Sequence, residues 1–189
     1  MKPCKTCELT AKRNAGVAPL WDCIHRTPYW DVVHSYNTAL PGWLVLVARR
    51  HIEAIDELTN KEAIELGILL QQSSLALKQI TGCLKTYVIQ FAEMAEHPHV
   101  HFHVVPRMAN QPENRRATEV FKYLGVSEEE RVNEETMNEI ALKVQQILRA
   151  SLNHSDEIAN LQQEKRFFCG KSMKHEQVSI FSDSESCVR

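Results

Sequence analysis

The clearest periodic pattern of apolar and polar residues lies in the middle of the chain, after residue 58. Thr59 and Glu62 have the spacing of a capping box, in which each side chain bonds the backbone N–H of the other residue. Gly82 can close a helix that begins there. The apolar residues between them recur at helical spacing: Leu66, Leu69, Leu70, Leu77 and Ile80. The pattern predicts an amphipathic helix over 60–81.

A second amphipathic pattern begins near Ser127, which has Glu130 as a capping partner. The apolar face behind it consists of Val132, Ile140, Ala141, Val144, Ile147 and Leu148. This pattern predicts a helix over 128–152. Residues 153–189 are polar and mixed in sign, without sustained periodicity, so we expect a tail that is partly disordered.

Short runs rich in β-branched and aromatic residues predict strands on both sides of the 60–81 helix. Two runs lie within 19–37, and "WLVLVARRH" follows a turn signal at Pro41 and Gly42. His25 and His34 fall in the first two runs and are expected to be exposed. "KTYVIQFAE" and a histidine-rich segment come after the helix. The order β, β, β, α, β, β, α with short connections predicts an α+β fold with an antiparallel sheet.

Composition narrows the class of protein. A chain of 189 residues with 43% hydrophobic and 24% charged residues is typical of one globular domain. Its net charge of -2 gives no reason to expect a nucleic-acid or membrane partner. The longest apolar run is too short to cross a bilayer, and the N-terminus lacks the apolar region of a secretory signal. We therefore expect a cytoplasmic protein.

The cysteines add one informative spacing. Six cysteines could suggest disulfides, but a reducing compartment argues against them. Cys4 and Cys7 form a C-x-x-C pair, which is typical of a metal knuckle or a redox pair. A redox pair would normally open a helix after a strand, and Cys4 lies too near the start of the sequence for that.

Four histidines occupy alternate positions in "HPHVHFHVVPR": His97, His99, His101 and His103. Successive side chains of a strand point to opposite faces, so a strand here would place all four imidazoles on one face. Val100, Phe102 and Val104 would then point into a core. Burying a row of imidazoles without partners costs free energy, so their face should meet a ligand, a metal or water.

Three interpretations of this row compete. The first is a solvent-facing strand, and four histidines in register argue against it. The second is a metal site, although a flat row spanning about 20 Å cannot place all four imidazoles on one ion. The third is a face for an anionic group, because imidazoles donate hydrogen bonds to phosphate and one can act as a nucleophile near neutral pH.

The segment from His99 to Val105 matches all seven positions of the H-φ-H-φ-H-φ-φ signature of the histidine triad (HIT) superfamily, where φ is apolar. "PGWLVLVARRHIEAIDELT" also resembles the HIT segment that leads into the long helix. The resemblance is greatest to bacterial HIT proteins of uncharacterised substrate, some with an N-terminal CxxC. It implies a HIT-like domain over 1–125 with about five strands, a helix over 126–152 packed on it, and a polar tail over 153–189.

The resemblance also implies a chemistry. In this family the middle histidine attacks the α-phosphorus of a purine nucleotide or dinucleoside polyphosphate, and water or another acceptor resolves the nucleotidyl-histidine. That role falls on His101, with His103 bonding a phosphate oxygen and His99 in support. The protein would be a nucleotide hydrolase or nucleotidyl transferase. The alternatives are a nucleotide-binding regulatory protein with little turnover, or a zinc-dependent hydrolase.

Departures from the family pattern surround the triad. Many HIT enzymes carry glutamine and serine just before it, and here those places fall near Ala95 and Glu96. The carboxylate of Glu96 would either repel phosphate or orient an imidazole. The resemblance assigns ribose binding to the segment of Ser35 and Asn37. Arg107 could contact further phosphates, because guanidinium groups pair well with them.

The same resemblance implies a metal and an assembly. Some HIT proteins join an N-terminal CxxC to two histidines in a structural zinc site. The matching residues here are Cys4, Cys7, His51 and His99, with His97 in reserve as the fourth ligand. HIT proteins typically form two-fold dimers through the long helix and an edge strand, so a homodimer is expected. No organic cofactor is expected.

Overall fold

A computed structural model describes residues 4–151 of the chain. Its helices are α1 (Lys5–Asn14), α2 (Asn60–Thr81) and α3 (134–151). The strands are β1 (His25–Arg26), β2 (Trp30–His34), β3 (Leu44–Ala48), β4 (Lys85–Ile89) and β5 (His101–Arg107). They form one antiparallel sheet in the order β1-β2-β3-β5-β4. The predicted α+β fold with a five-stranded antiparallel sheet is confirmed.

Helix α2 has the bounds that its sequence predicts. The Thr59 hydroxyl accepts from the backbone N–H of Glu62, and the carboxylate of Glu62 bonds back to Thr59. At the other end Gly82 adopts φ 67°, a left-handed conformation that glycine adopts without strain. Both ends depend on contacts between residues close in sequence, which explains why the sequence locates them.

The sheet has two buried faces. Phe102 and Val104 of β5 pack in a core with α2 and α3, and Trp30 and Val32 of β2 join them. On the opposite face Val105 packs with Trp43, Val45, Val47 and Val120. Because side chains alternate along a strand, His101 and His103 share the second face with Val105. The alternation therefore places these two imidazoles opposite the main core, as the sequence predicts.

Helix α3 begins at residue 134, not at 128 as predicted. Ser127 and Glu130 form their capping box, but it closes only a 3-10 turn, Glu128–Glu130. Arg131 then turns to an extended conformation, and the backbone N–H of Val132 donates to Thr38 O. The side chain of Asn133 caps α3 by accepting from Thr136 N at 2.8 Å.

Helix α1 is not anticipated by the sequence pattern, which has little apolar periodicity there. Tertiary contacts hold it instead. Arg13 near its end is buried, with its guanidinium 2.7 Å from a carboxylate oxygen of Asp22 and 3.5 Å from one of Asp31. These two carboxylates belong to the segment before β1 and to β2, so α1 is fixed against the sheet.

The described residues up to Arg149 belong to one compact unit, and a second begins at Ala150. The predicted tail at 153–189 lies outside the described residues. The division at residue 125 stays a prediction. No helix within 4–151 is long and apolar enough to cross a membrane.

Candidate functional site

A cavity of about 570 Å³ opens on the face of the sheet that carries His101 and His103. Its walls come from α1, from β2 and β3, from the loop before β5 and from the segment around Phe121. Leu9, Val45, Val47, Phe91 and Phe121 make much of the wall apolar. An apolar cavity with a few convergent polar groups is the usual form of a small-molecule site.

Hydrogen bonds at Nδ1 give His101 and His103 opposite tautomers. Nδ1 of His101 lies 2.6 Å from the carbonyl oxygen of His99, so it carries the proton and Nε2 keeps a free lone pair. Nδ1 of His103 accepts from the indole N–H of Trp43 at 3.0 Å, so its proton is on Nε2. The ring centroids are 5.0 Å apart. One ring therefore offers a nucleophile and its neighbour a hydrogen-bond donor.

Burial keeps both rings neutral. It lowers the pKa of His101, and it lowers the pKa of His103 to about 3, with a smaller contribution from neighbouring His101. A neutral imidazole retains the lone pair that nucleophilic attack requires.

The cavity contains most of the residues expected to bind nucleotide. Ser35, Asn37 and Glu96 all line it. Arg107 does not, because it lies at the far end of β5, about 13 Å along the strand from His103. Its guanidinium donates to the carbonyl oxygen of Met108 instead. The expectation of a phosphate contact from Arg107 is therefore not supported by its position.

The four histidines do not all line the cavity. The backbone N–H of His99 donates to His97 O at 2.8 Å, a tight turn around Pro98 that interrupts the strand, and β5 begins only at His101. His97 still lines the cavity, but His99 is fully buried away from it. The prediction assumed that the strand is extended from residue 97, but the strand begins at His101.

His34 is also buried, contrary to the exposure expected from sequence. Its Nδ1 lies 2.8 Å from Ser35 O, and its Nε2 accepts from the backbone N–H of Gly42 at 3.0 Å. Gly42 has φ 83°, which glycine tolerates best. Both ring nitrogens are thus satisfied in the neutral form, and burial lowers the pKa of His34 to about 4.

A second polar cluster lies at the start of α1. Cys4, Cys7, His51 and His99 bring one sulfur or nitrogen atom each into a group whose members all lie within 4.8 Å of one another. The antiparallel pairing of β3 with β5 brings the two histidines together. Their Nδ1 atoms are 3.3 Å apart.

The donor set and its dimensions fit a zinc ion. Around a tetrahedral zinc, bond lengths of about 2.3 Å to sulfur and about 2.0 Å to nitrogen place N···N pairs about 3.3 Å apart and S···N pairs about 3.5 Å apart. The N···N distance between His51 and His99 is 3.3 Å, and three of the four S···N distances are 3.3, 3.5 and 3.7 Å. These four residues have the spacing and the ligand types of a structural Cys2His2 site.

The other ring nitrogens support the same conclusion. Nε2 of His99 lies 2.7 Å from Ala48 O, and Nε2 of His51 lies 3.3 Å from the Glu53 carboxylate. Each Nε2 therefore carries the proton, and two bare Nδ1 lone pairs face each other. A bound cation removes that repulsion. In the metal-free protein, burial and the neighbouring Cys4 raise the pKa of Cys7 to about 11, whereas a coordinated metal deprotonates its thiol ligands.

Sequence comparisons identify no relative: no family model and no curated protein matches the chain. Solved structures do match. A histidine triad protein from Bradyrhizobium japonicum aligns with a TM-score of 0.55 and 22% identity, covering 66% of this chain and 87% of that one.

Two further structures extend the likeness. A hypothetical histidine triad nucleotide-binding protein from Sulfolobus tokodaii has a TM-score of 0.57 and 12% identity, covering 76% of this chain and 93% of that one. A Zn-bound histidine triad family protein from Mycobacterium smegmatis has a TM-score of 0.55 and 15% identity, covering 80% and 96%. The chain therefore has the fold of the histidine triad proteins.

Proposed function

We propose that the protein binds a purine nucleotide in the cavity and transfers its nucleotidyl group through His101, as a hydrolase or a nucleotidyl transferase. The opposite tautomers of His101 and His103 are the observation that carries this proposal. A single strand offers a nucleophile and a donor side by side, which suits attack on a phosphorus atom whose oxygens need a hydrogen bond.

In the first step Nε2 of His101 attacks the α-phosphorus. The bond from phosphorus to the leaving group breaks, and the leaving group departs with the electron pair. The Nε2–H of His103 donates to a phosphate oxygen as negative charge grows there. The imidazolium of the nucleotidyl-histidine is stabilised through its Nδ1–H by the carbonyl oxygen of His99. Water or another acceptor then attacks the same phosphorus and releases His101.

The remaining polar residues of the cavity suit the nucleoside. We assign the ribose hydroxyls to Ser35 and Asn37, whose side chains are 3.3 Å apart and adjoin β2. Phe91, Phe121 and Met94 offer an apolar surface for the base. The name of the S. tokodaii protein, which refers to nucleotide binding, agrees with this assignment.

We further propose that Cys4, Cys7, His51 and His99 hold a structural zinc ion. The M. smegmatis structure is described as Zn-bound, and the distances here fit that metal. Zinc would tie the first turn of α1 to the sheet. His99 does not line the cavity, so we assign the metal no part in the reaction. A reducing compartment such as the cytoplasm would keep the two thiols available for it.

A homodimer is proposed through α2 and the edge strand β4. Ile64, Ile68 and Leu75 of α2 and Val88 of β4 are exposed apolar residues, with 46–67% of their surface accessible. Within residues 4–151, β4 is the terminal strand of the sheet and no described strand pairs with its outer edge. A two-fold contact would cover both features at once.

Single-turnover labelling tests the proposed reaction. The protein is mixed with α-labelled diadenosine polyphosphate or with an adenosine phosphoramidate, and acid-labile adduct is measured over time. We expect an adduct with the wild-type protein and with the control His25→Ala, and none with His101→Ala. Unchanged turnover in His101→Ala would refute the mechanism. Saturable AMP binding without any adduct would favour the regulatory alternative, which the carboxylate of Glu96 beside the triad makes worth testing.

A further inference from the structure

Besides His101 and His103, His34 and His97 line the cavity, and the proposed reaction leaves both without a role. Both ring nitrogens of His34 already have partners in the protein, so His97 is the one considered as a ligand contact. His97 is half-buried. Its Nδ1 lies 2.8 Å from the hydroxyl oxygen of Thr6 in α1. Among the residues that the structure describes, no polar group pairs with its Nε2. One nitrogen of His97 is therefore committed to the protein and the other remains for a ligand.

A phosphate entering this cavity meets no free cation on the described wall. Arg13 is the single lysine or arginine among the described lining residues. Its guanidinium is buried and bonded to Asp22, with Asp31 also in contact. Glu93 and Glu96 add carboxylates to the rim. Lys5 lies close by, with its ammonium 5.8 Å from the ring centroid of the lining residue Tyr36, but it is not itself part of the wall. Within the described wall, neutral donors are therefore the groups available to the anion.

The contact with Thr6 allows His97 to be such a donor. A hydroxyl can donate or accept, so the Thr6 side chain can match either tautomer of the imidazole by rotating. When it donates to Nδ1, the imidazole proton lies on Nε2. An anion stabilises this tautomer, because the alternative would direct a lone pair at a phosphate oxygen.

We propose that Nε2–H of neutral His97 is a second hydrogen-bond donor to the bound phosphate, and that Thr6 is the residue that positions it. This inference rests on the proposed nucleotide site and deepens it. His97 and His103 would each bond a phosphate oxygen, while His101 supplies the nucleophile. Helix α1 would thereby contribute to phosphate binding through the contact of Thr6 with His97.

The first turn of α1 holds the segment before β5 by two bonds. Besides the Thr6 contact, the backbone N–H of Lys5 donates to Glu96 O at 2.9 Å. Thr6 itself lies between Cys4 and Cys7, the two cysteines of the proposed zinc site. The metal would fix the turn that carries Thr6, and so the position of His97.

Two pairs of variants test the proposal. Asparagine and glutamine side chains differ in length, so each can replace a different ring nitrogen of His97. His97→Asn keeps a polar atom near Nδ1 and removes the one at Nε2, whereas His97→Gln places an amide near Nε2. Thr6→Val removes the hydroxyl at nearly constant shape, and Thr6→Ser restores it. The measurements are the Kd for AMP by calorimetry and the single-turnover rate of adduct formation.

We expect His97→Asn to weaken AMP binding and slow adduct formation by about tenfold or more, the loss usual for a hydrogen bond to a charged group. For His97→Gln we expect both the Kd for AMP and the adduct rate to stay within about threefold of the wild-type values. The losses in Thr6→Val should be smaller than those in His97→Asn and larger than those in His97→Gln. Thr6→Ser should have nearly wild-type values. Thermal unfolding and metal content serve as checks that each variant folds.

Equal losses in His97→Asn and His97→Gln would overturn the proposal, since a purely structural role predicts that result. So would wild-type behaviour of His97→Asn in both measurements. If the wild-type protein binds AMP but forms no adduct, the proposed reaction is refuted. The Kd values of His97→Asn and His97→Gln for AMP then still test whether His97 is a donor to the phosphate. A wild-type protein that does not bind AMP would refute both.

Discussion

The indole N–H of Trp43 donates to Nδ1 of His103 at 3.0 Å, and the two rings meet edge to face with centroids 5.6 Å apart. Trp43 immediately precedes β3, and His103 lies in the neighbouring strand β5. Because Nδ1 of His103 accepts this hydrogen bond, the imidazole proton is on Nε2. Trp43, a buried core residue, thereby makes the Nε2–H of His103 available as a hydrogen-bond donor to a ligand.

Replacing Trp43 by phenylalanine should expose that role. The variant keeps an aromatic ring but loses the indole N–H, so His103 can place its proton on either nitrogen. We expect the rate of adduct formation to fall by about five- to tenfold, the equivalent of one hydrogen bond. The measurement is single-turnover labelling at saturating nucleotide.

Trp30 offers a matched control. It is equally buried, and its indole N–H donates to Glu62 O at 3.0 Å, but it packs in the core shared with α2. Trp30→Phe should lower stability about as much as Trp43→Phe and leave the adduct rate nearly unchanged. Equal effects of both variants on the rate would contradict a specific role for Trp43.

Removing the proposed metal should cost stability. We expect about one zinc per chain in the purified protein, and none in Cys7→Ser. Because structural zinc contributes directly to folding, Cys7→Ser should lower the Tm by about 10 °C or more. Cys23→Ser is the control, since Cys23 is a free cysteine outside the cluster. Wild-type protein that fails to retain zinc after incubation with it would refute the site.

Stability should fall on acidification because His34 is buried in the neutral form. Burial lowers its folded-state pKa to about 4, below the ordinary value of 6.5. Between these values the unfolded chain binds the additional proton, so the stabilisation is complete above about pH 6.5 and is lost as the pH falls toward 4. We expect about 2 kcal/mol less stability at pH 5 than at pH 8 from this group.

Urea unfolding at several pH values measures the effect. The pH dependence of the wild-type protein is compared with that of His34→Asn, so that contributions common to both, including those of the proposed zinc ligands, cancel. The variant should be less stable at pH 7 and should have a shallower slope. Identical slopes would show that His34 does not titrate on unfolding.

Glu96 should disfavour substrates with several negative charges. Its carboxylate lines the cavity, where Arg13 is already neutralised by Asp22. We expect Glu96→Gln to lower the KM for a diadenosine polyphosphate by about three- to tenfold at low ionic strength, and to lower the KM for an adenosine phosphoramidate, which carries a single negative charge, by less. Glu113→Gln, on a fully exposed side chain outside the cavity, should change neither.

A substitution that introduces a charge into the apolar surface of α2 tests the proposed dimer. Ile68→Glu should yield a monomer by light scattering, because a carboxylate buried in an apolar contact has no partner there. Ile55 is similarly exposed but lies outside α2 and β4, so Ile55→Glu should leave the assembly unchanged. A wild-type monomer at micromolar concentration would contradict the proposal.

Local patterns predicted the elements that depend on local contacts. The bounds of α2 follow from Thr59, Glu62 and Gly82, and the alternation of β5 follows from Phe102 and Val104. The start of α3 was missed because Ser127 and Glu130 make the same capping contacts around a short 3-10 turn. Capping contacts between residues three apart form at the start of a single turn as well as at the start of a long helix, so they do not predict how far the helix extends.

Features held by distant residues were the ones that sequence reasoning missed. Helix α1 depends on the contacts of Arg13 with Asp22 and Asp31, and nothing in its own ten residues predicts them. A tight turn at Pro98 interrupts the strand before His101, and His99 does not line the cavity, whereas strict alternation over 97–103 predicted one row of four imidazoles. Proline at that position was the available signal, since it cannot donate a ladder hydrogen bond.

The cluster of Cys4, Cys7, His51 and His99 joins three distant parts of the chain. Cys7 and His51 are 44 residues apart, and His51 and His99 are 48 apart. A metal held by all four would close two large loops, and closing each one in an unfolded chain costs about 4 kcal/mol of conformational entropy in the usual cross-link model. The metal would act on the chain as a pair of disulfides does, with the difference that a chelator can open it and zinc can close it again.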